Sequence, residues 1–198
     1  VLALIVIFII LNRLNKVVEQ LLHLSRPERT DLREVCMNDL LDELFVLFRH
    51  EASKSSVTLK KLWSGEKVYG RIDQEKIKQA FLNVMLNAIQ SMSQGGTLSI
   101  DLVRSSTDGF VNELPECFIQ ILFADEGEGI PQELIDKLFD PFFTTRHHGT
   151  GLGLAITKKI VDLHNGRIEI SSKLGRGTVV KITLPQEFPE ESEENLPS

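Results

Sequence analysis

Cysteine is scarce: the 198 residues include two, Cys36 and Cys117. They stand far apart with no Cys-x-x-Cys, so neither a zinc site nor a disulfide framework is indicated, and a reducing compartment fits. Both read as small core or near-core residues. A surplus of basic residues is also missing. With 28 acidic against 22 basic residues the net charge is −6, which argues against a nucleic-acid partner, because a phosphate backbone wants a basic face. A small anion held locally suits this balance better than a polyanion held by bulk charge. The one wholly apolar run, Val1 to Leu11, is short. Eleven helical residues rise about 16 Å, and the hydrocarbon core of a bilayer is roughly 30 Å thick. No basic stretch or cleavage site marks it as a signal peptide. It reads as the end of a membrane helix or as a buried helix.

What is present suffices for a core. Hydrophobic residues make up 42% of the chain and charged residues 25%, ordinary values for one domain or one domain with an appendage. Leu4, Ile7, Leu11, Leu14, Val18 and Leu21 follow the seam spacing of a coiled coil, with polar residues on the other faces from Asn12 on. This predicts one long helix over 2–25 that packs on a partner chain as a homodimer and ends before Pro27. A polar connector over 27–31 marks the domain boundary.

Beyond it the pattern alternates between helix and strand. Asn38 is placed to cap a helix over 39–52, and Asp73 to cap a strongly amphipathic one over 74–92, ended by Gly95-Gly96. Strands are expected over 57–60, 67–72, 97–103, 118–124, 167–171 and 178–184. A hairpin loop is expected over 105–109, a short helix over 131–139 with Pro131 in its first turn, and a helix from Leu154 to His164. Residues 187–198 carry glutamates and prolines without periodicity and read as a disordered acidic tail. The sum is an α+β sandwich: helices on one face of a mixed, mostly antiparallel sheet.

Four stretches carry chemistry. Asn83 and Asn87 lie four apart on the strongest helix and so share a face; a neutral amide oxygen there suits Mg²⁺, a hard cation that keeps waters while bridging phosphates. Asp125 ends an apolar strand and is followed by Glu126-Gly127-Glu128-Gly129-Ile130, a carboxylate placed to accept from a planar ligand such as the adenine amine. Phe139-Asp140-Pro141-Phe142-Phe143-Thr144-Thr145 sets three aromatics before Gly149-Thr150-Gly151-Leu152-Gly153-Leu154. Alternate glycines running into a helix N-terminus make a phosphate cradle. It is not a P-loop, since no Lys-Ser/Thr follows the last glycine, nor a Rossmann fingerprint, since no strand leads into it.

In this order the four stretches resemble the signature boxes of the ATP-binding domain of sensor histidine kinases, of the GHKL/Bergerat superfamily; Asn87-Ala88-Ile89-Gln90-Ser91-Met92 is most similar to the nitrogen-regulator and sporulation-type kinases. The resemblance spans about 12–186. It implies a Bergerat fold over 27–186, preceded by a dimerisation helix within 1–26, and a lid over roughly 130–149. It implies ATP or ADP with Mg²⁺ held by Asn83, Asn87, Asp125, Gly127, Gly129, Ile130, Phe142, Thr144, Arg146, Gly149, Thr150, Gly151, Leu152, Gly153, Leu154 and Thr178. Asn87, with Asn83 beside it, would ligate Mg²⁺; Asp125 would read adenine; Arg146 is a candidate γ-phosphate contact. The implied partners are a histidine-bearing dimerisation domain and a response regulator, and the implied place is the cytoplasmic part of a membrane-associated kinase. The family's phosphoacceptor box is missing from this sequence, and His23, His50 and His164 do not sit where the family places it. A nucleotide-binding regulatory module without kinase activity is the alternative. A hydrolytic ATPase of the same fold is disfavoured, because Asn83 stands where such enzymes carry a glutamate base.

Overall fold

The computed structural model describes residues 30–63, 65–106, 117–146 and 149–186. The expected 2–25 helix, most of the 105–109 loop, the tail over 187–198, and His23, His147 and His148 lie outside the described residues. Among the described residues, seven strands and three α-helices follow in chain order: β1 (Arg33–Cys36), α1 (Met37–Lys54), β2 (Val57–Lys61), β3 (Tyr69–Ile72), α2 (Gln74–Ser91), β4 (Gly96–Ser106), β5 (Cys117–Asp125), a 3₁₀ turn (Gln132–Lys137), α3 (Gly153–Leu163), β6 (Arg167–Ser172) and β7 (Thr178–Pro185). Among the described residues, no helix is long and apolar enough to cross a membrane.

A five-stranded sheet in the order β2-β4-β5-β7-β6 carries the molecule. β2 runs parallel to β4 and the other neighbours are antiparallel, so the expected α+β sandwich is what forms. Strand side chains alternate faces. Leu98, Ile100 and Leu102 of β4, Ile119, Ile121 and Phe123 of β5, and Val180, Ile182 and Leu184 of β7 therefore share the buried face. The apolar stripe of α2 closes on it, with Phe81 tilted against Phe123 at a ring separation of 5.4 Å. This pair and its neighbours bury several large side chains, each contributing on the order of 1.5–3 kcal/mol.

Two expectations need correction. Asn38 is not the cap of α1: the helix begins at Met37 with Cys36 at the capping position. Asn38 is instead buried, donating to the Glu66 carbonyl at 3.0 Å and accepting from the Val68 N–H at 2.8 Å. A buried amide must satisfy both ends, and here it does so by pinning the connector before β3. The strand expected over 67–72 is shorter and does not join the main sheet; it pairs with β1, which the residue pattern did not reveal, as a separate two-stranded ribbon. Smaller shifts follow the usual fraying of element ends. The 131–139 segment forms a 3₁₀ turn over 132–137 with Pro131 just before it, and α3 starts at Gly153 rather than Leu154.

Asp73 caps α2 as expected, its Oδ1 accepting from the Lys76 N–H at 3.2 Å. Its own N–H donates to Nε2 of His164, 2.9 Å away, and His164 Nδ1 donates to the Ile160 carbonyl at 2.7 Å. The imidazole is fully buried (0% exposed) and joins the end of α3 to the start of α2 as a neutral ring. Burial pushes its pKa below the ordinary 6.5, against an upward pull from the Ile160 carbonyl.

The unfolded chain therefore binds a proton near pH 6.5 that the folded chain resists. The stability from His164 is present in full above that pH and declines as pH falls toward the lowered folded value, by up to about 1.4 kcal/mol per pH unit. Urea titrations from pH 7.5 to 5 are expected to show this decline. In His164→Leu that component of the slope should vanish, and a slope identical to wild type would remove His164 as its source.

Candidate functional site

Burying the apolar stripe of α2 fixes the rotation of the helix, and with it the flanking polar residues. Ile77, Ala80, Phe81, Val84, Met85, Ala88 and Ile89 face the core. Asn83, Asn87, Gln90 and Ser91 consequently line one wall of a cavity of about 590 Å³. Thr144 to Arg146, Gly149 to Gly151, Gly153 and Leu154 also line it, together with Asp125, Thr178 and the apolar side chains of Phe123, Ile170 and Val180.

Asp125 is held from several sides. Its Oδ1 accepts from the Gly127 N–H at 2.9 Å, the Thr178 N–H at 3.2 Å and the Ser91 hydroxyl at 3.3 Å. The Ser91 proton is shared with the Ala88 carbonyl at 2.8 Å, so the two backbone donors are the firmer support. The other carboxylate oxygen, Oδ2, has no hydrogen-bond partner among the described residues and remains available as an acceptor. Burial raises the pKa of this carboxyl, while the Gly127, Ser91 and Thr178 donors pull it back. Gly177 passes directly behind it at φ +85°, where an added Cβ would collide with the Asp125 carbonyl oxygen. A side chain there would both strain the backbone and push Asp125 out of place.

The glycine turn is clasped by the aromatic stretch before it. The Phe142 N–H donates to the Gly151 carbonyl at 2.9 Å, and Gly151 takes φ +67° so close to the Phe142 backbone that no side chain would fit. α3 then begins at Gly153, whose carbonyl accepts from Asn83 Nδ2 at 3.2 Å and from the Thr157 hydroxyl at 2.9 Å. The first-turn N–H groups of a helix have no intrahelical acceptor, and Gly153 and Leu154 border the cavity. The dipole end and the free N–H groups together make this rim suited to an anion.

Most of the residues singled out in the sequence meet here: Asn83, Asn87, Asp125, Gly129, Ile130, Thr144, Arg146, Gly149, Thr150, Gly151, Gly153, Leu154 and Thr178 all line the cavity. Gly127 stands behind the wall and acts through its N–H. Leu152 is fully buried and anchors α3 to the core, whereas Phe142 is 58% exposed and turned away from the cavity; Phe143 lines it instead. Arg146 reaches α2, donating to Asn87 Oδ1, the Asn87 carbonyl and Gln90 Oε1. Burial lowers its pKa.

Sequence reasoning gave no role to Ser91, Gln90, Gly177 or the apolar lining of Leu134, Leu138, Ile170 and Val180. Apolar residues such as Ile170 and Val180 on strands look like core, and their facing a cavity depends on the lid residues, Leu134 and Leu138 among them, that line it too. Among the described residues no group of three or more His, Cys, Asp or Glu could hold a metal by itself. A divalent cation on the Asn87 amide oxygen would need phosphate oxygens and waters to complete its shell, which is the habit of Mg²⁺.

Comparison with known proteins agrees with this geometry. The profile of the family "Histidine kinase-, DNA gyrase B-, and HSP90-like ATPase" matches residues 72–187. Sporulation kinase A of Bacillus subtilis is 31% identical over 182 residues, covering 91% of this chain and 28% of the relative. The sensor histidine kinase ZraS of Salmonella typhimurium is 34% identical over 176 residues, covering 88% and 36%. The chain thus spans about a third of the length of these curated relatives. Among solved structures, the catalytic domain of histidine kinase ThkA superposes with a TM-score of 0.67 at 30% identity, over 79% of this chain and 96% of that one. ThkA in complex with the response regulator protein TrrA gives 0.73 at 28% identity, over 92% and 50%. The family profile begins at the last residue of β3 and runs through β7, taking in both walls of the cavity and the lid, and the chain belongs to the histidine kinase-, DNA gyrase B- and HSP90-like ATPase family.

Proposed function

We propose that this chain is the ATP-binding catalytic region of a sensor histidine kinase, which transfers the γ-phosphate of ATP to a histidine for relay to a response-regulator aspartate. The observation that carries the reading is Asp125. A half-buried carboxylate lining the cavity, tied by Oδ1 to two backbone N–H groups and with Oδ2 unpartnered among the described residues, is an acceptor fixed before the ligand arrives. The exocyclic amine of adenine supplies the matching donor. Ile130, Leu134 and Ile170 flank the base, and the phosphates lie toward the N-terminus of α3 and the Gly149–Gly153 turn. Mg²⁺ would sit on Asn87, with Asn83 beside it, and would neutralise phosphate charge as the bond to the leaving oxygen breaks.

Transfer rather than hydrolysis is favoured by Asn83. An amide is no base, and its Nδ2 is already donating to the Gly153 carbonyl, so nothing at this position activates water. In transfer, an imidazole nitrogen of the acceptor forms the N–P bond as the bond between the γ-phosphorus and the β–γ bridging oxygen breaks, leaving ADP. The two described histidines do not line the cavity: His50 is exposed on α1 and His164 is buried where the end of α3 meets the start of α2. The acceptor is therefore sought on a separate dimerisation helix pair, in a homodimer that includes residues 1–26, in the cytoplasmic part of a membrane-associated kinase.

Asp125→Asn replaces the acceptor with a group that can turn an amide N–H toward the adenine amine. Loss of a charge-assisted bond and its replacement by a donor–donor clash is expected to weaken ADP binding by roughly 30-fold or more, with an unchanged far-UV circular dichroism spectrum. Affinity equal to wild type would remove the adenine assignment.

For the reaction itself, incubation with γ-labelled ATP and Mg²⁺ is expected to give acid-labile protein label only when a separate histidine-bearing dimerisation domain is added. Label on the chain alone would place the acceptor among its own histidines, and free phosphate would indicate an ATPase. Binding without any turnover would favour the regulatory module.

A further inference from the structure

Arg146 makes contacts that a phosphate-binding side chain does not require. Its guanidinium lies across the last turn of α2, with Nη1 donating to Gln90 Oε1 at 2.8 Å and to Asn87 Oδ1 at 3.3 Å, and Nη2 donating to the Asn87 carbonyl at 2.9 Å. Residues 87 and 90 are three apart and share a helix face, so their oxygens present a surface that the planar guanidinium fork can span. The shortest of the three bonds goes to Gln90. Without it, the arginine would keep one long contact to the Asn87 side chain and one to its backbone.

The oxygen it touches on Asn87 is the one assigned above to the metal. A divalent cation and a guanidinium on the same amide oxygen are like charges a few ångströms apart in a half-buried site, where repulsion is far stronger than in bulk water. One must leave for the other to bind. We propose that Gln90 is a positioning residue that parks Arg146 over Asn87, so that the lid arginine and Mg²⁺ compete for one oxygen and release of the lid is coupled to binding of the metal–nucleotide. This rests on the nucleotide reading of the site and adds its regulation. The apparent affinity for the metal is reduced by the fraction of chains in which Asn87 is occupied by Arg146. Once released, the arginine is free to follow the phosphates, and the lid is drawn with it, since Arg146 lies between Thr144 and the glycine turn and its carbonyl accepts from the Gly149 N–H.

The test is a double-mutant cycle on the full chain, with ADP affinity measured by calorimetry across a MgCl₂ titration. In Gln90→Ala the Mg²⁺ concentration for the half-maximal gain in ADP affinity is expected to fall roughly three- to tenfold, the effect of one charge-assisted bond in a partly exposed site. Arg146→Met should lower it at least as much. Adding Gln90→Ala to Arg146→Met should change nothing more, because Gln90 acts only through the arginine. An unchanged Mg²⁺ requirement in Gln90→Ala would overturn the proposal, as would an equal fall in the Arg146→Met background, and both leave the nucleotide reading standing. A wild-type chain that binds no ADP at any Mg²⁺ concentration would remove the nucleotide reading and this proposal together.

Discussion

The packing of α2 on β5 is the constraint from which the site follows. A helix with one apolar stripe has one rotation that buries it, and here seven residues from Ile77 to Ile89 set that rotation, with Phe81 seated on Phe123. Asn83, Asn87 and Gln90 are then carried to the rim of the stripe, toward the glycine turn. The same contact brings Ser91, at the end of the helix, to the end of β5 and Asp125. A slip of α2 by one residue would rotate it by about 100° and take every one of these groups out of the cavity.

Asp125 shows how the fold makes a half-buried charge tolerable and useful. Desolvation of a carboxylate is costly unless donors replace the lost water. The Gly127 and Thr178 N–H groups do so on Oδ1: the first arrives through the tight turn two residues after Asp125, the second because β5 pairs with β7 in a register that sets Asp125 opposite Thr178. Gly177, one residue before, must come so near that it can carry no side chain. A ligand meeting Oδ2 then finds an acceptor already oriented, so little ordering cost remains at binding. The opposite end of the cavity works on the same principle, with helix-terminal N–H groups in place of a carboxylate and hence the opposite sign of charge. A ligand with a donor at one end and anionic groups at the other is what such a polarity selects.

The lid joins these ends through few and local contacts. Its 3₁₀ turn buries no residue completely, and it is tied to the rest through the Ile130 N–H on the Ser172 hydroxyl at 2.8 Å, the Phe142–Gly151 clasp and the bonds of Arg146 to α2. Segments with sparse apolar contact open at low free-energy cost. The Arg146 guanidinium is the one charged group among these ties. His164 is the contrasting case: fully buried, doubly hydrogen-bonded and not part of the cavity lining, it fastens the end of α3 to the start of α2.

Residue pattern alone fixed the elements whose signal is local. The amphipathic period of α2, the Asp73 cap, the alternating strands β4 to β7 and the glycine turn depend on neighbours within one or two turns of chain, and so did the candidate residues Asn83, Asn87 and Asp125. Tertiary structure decided what depends on distant partners. β1 became a strand because Val35 found Gly70. Asn38 left its capping role because the 66–68 connector needed both ends of its amide. Phe142, at φ +69° with its N–H on the Gly151 carbonyl, turned outward, while Phe143 lines the cavity. Gln90, unremarkable on an exposed helix edge, gained a partner only when the lid folded over it. Sequence spacing records which side chains share a face, whereas which face meets a lid 50 or more residues later is settled only when the sheet has closed.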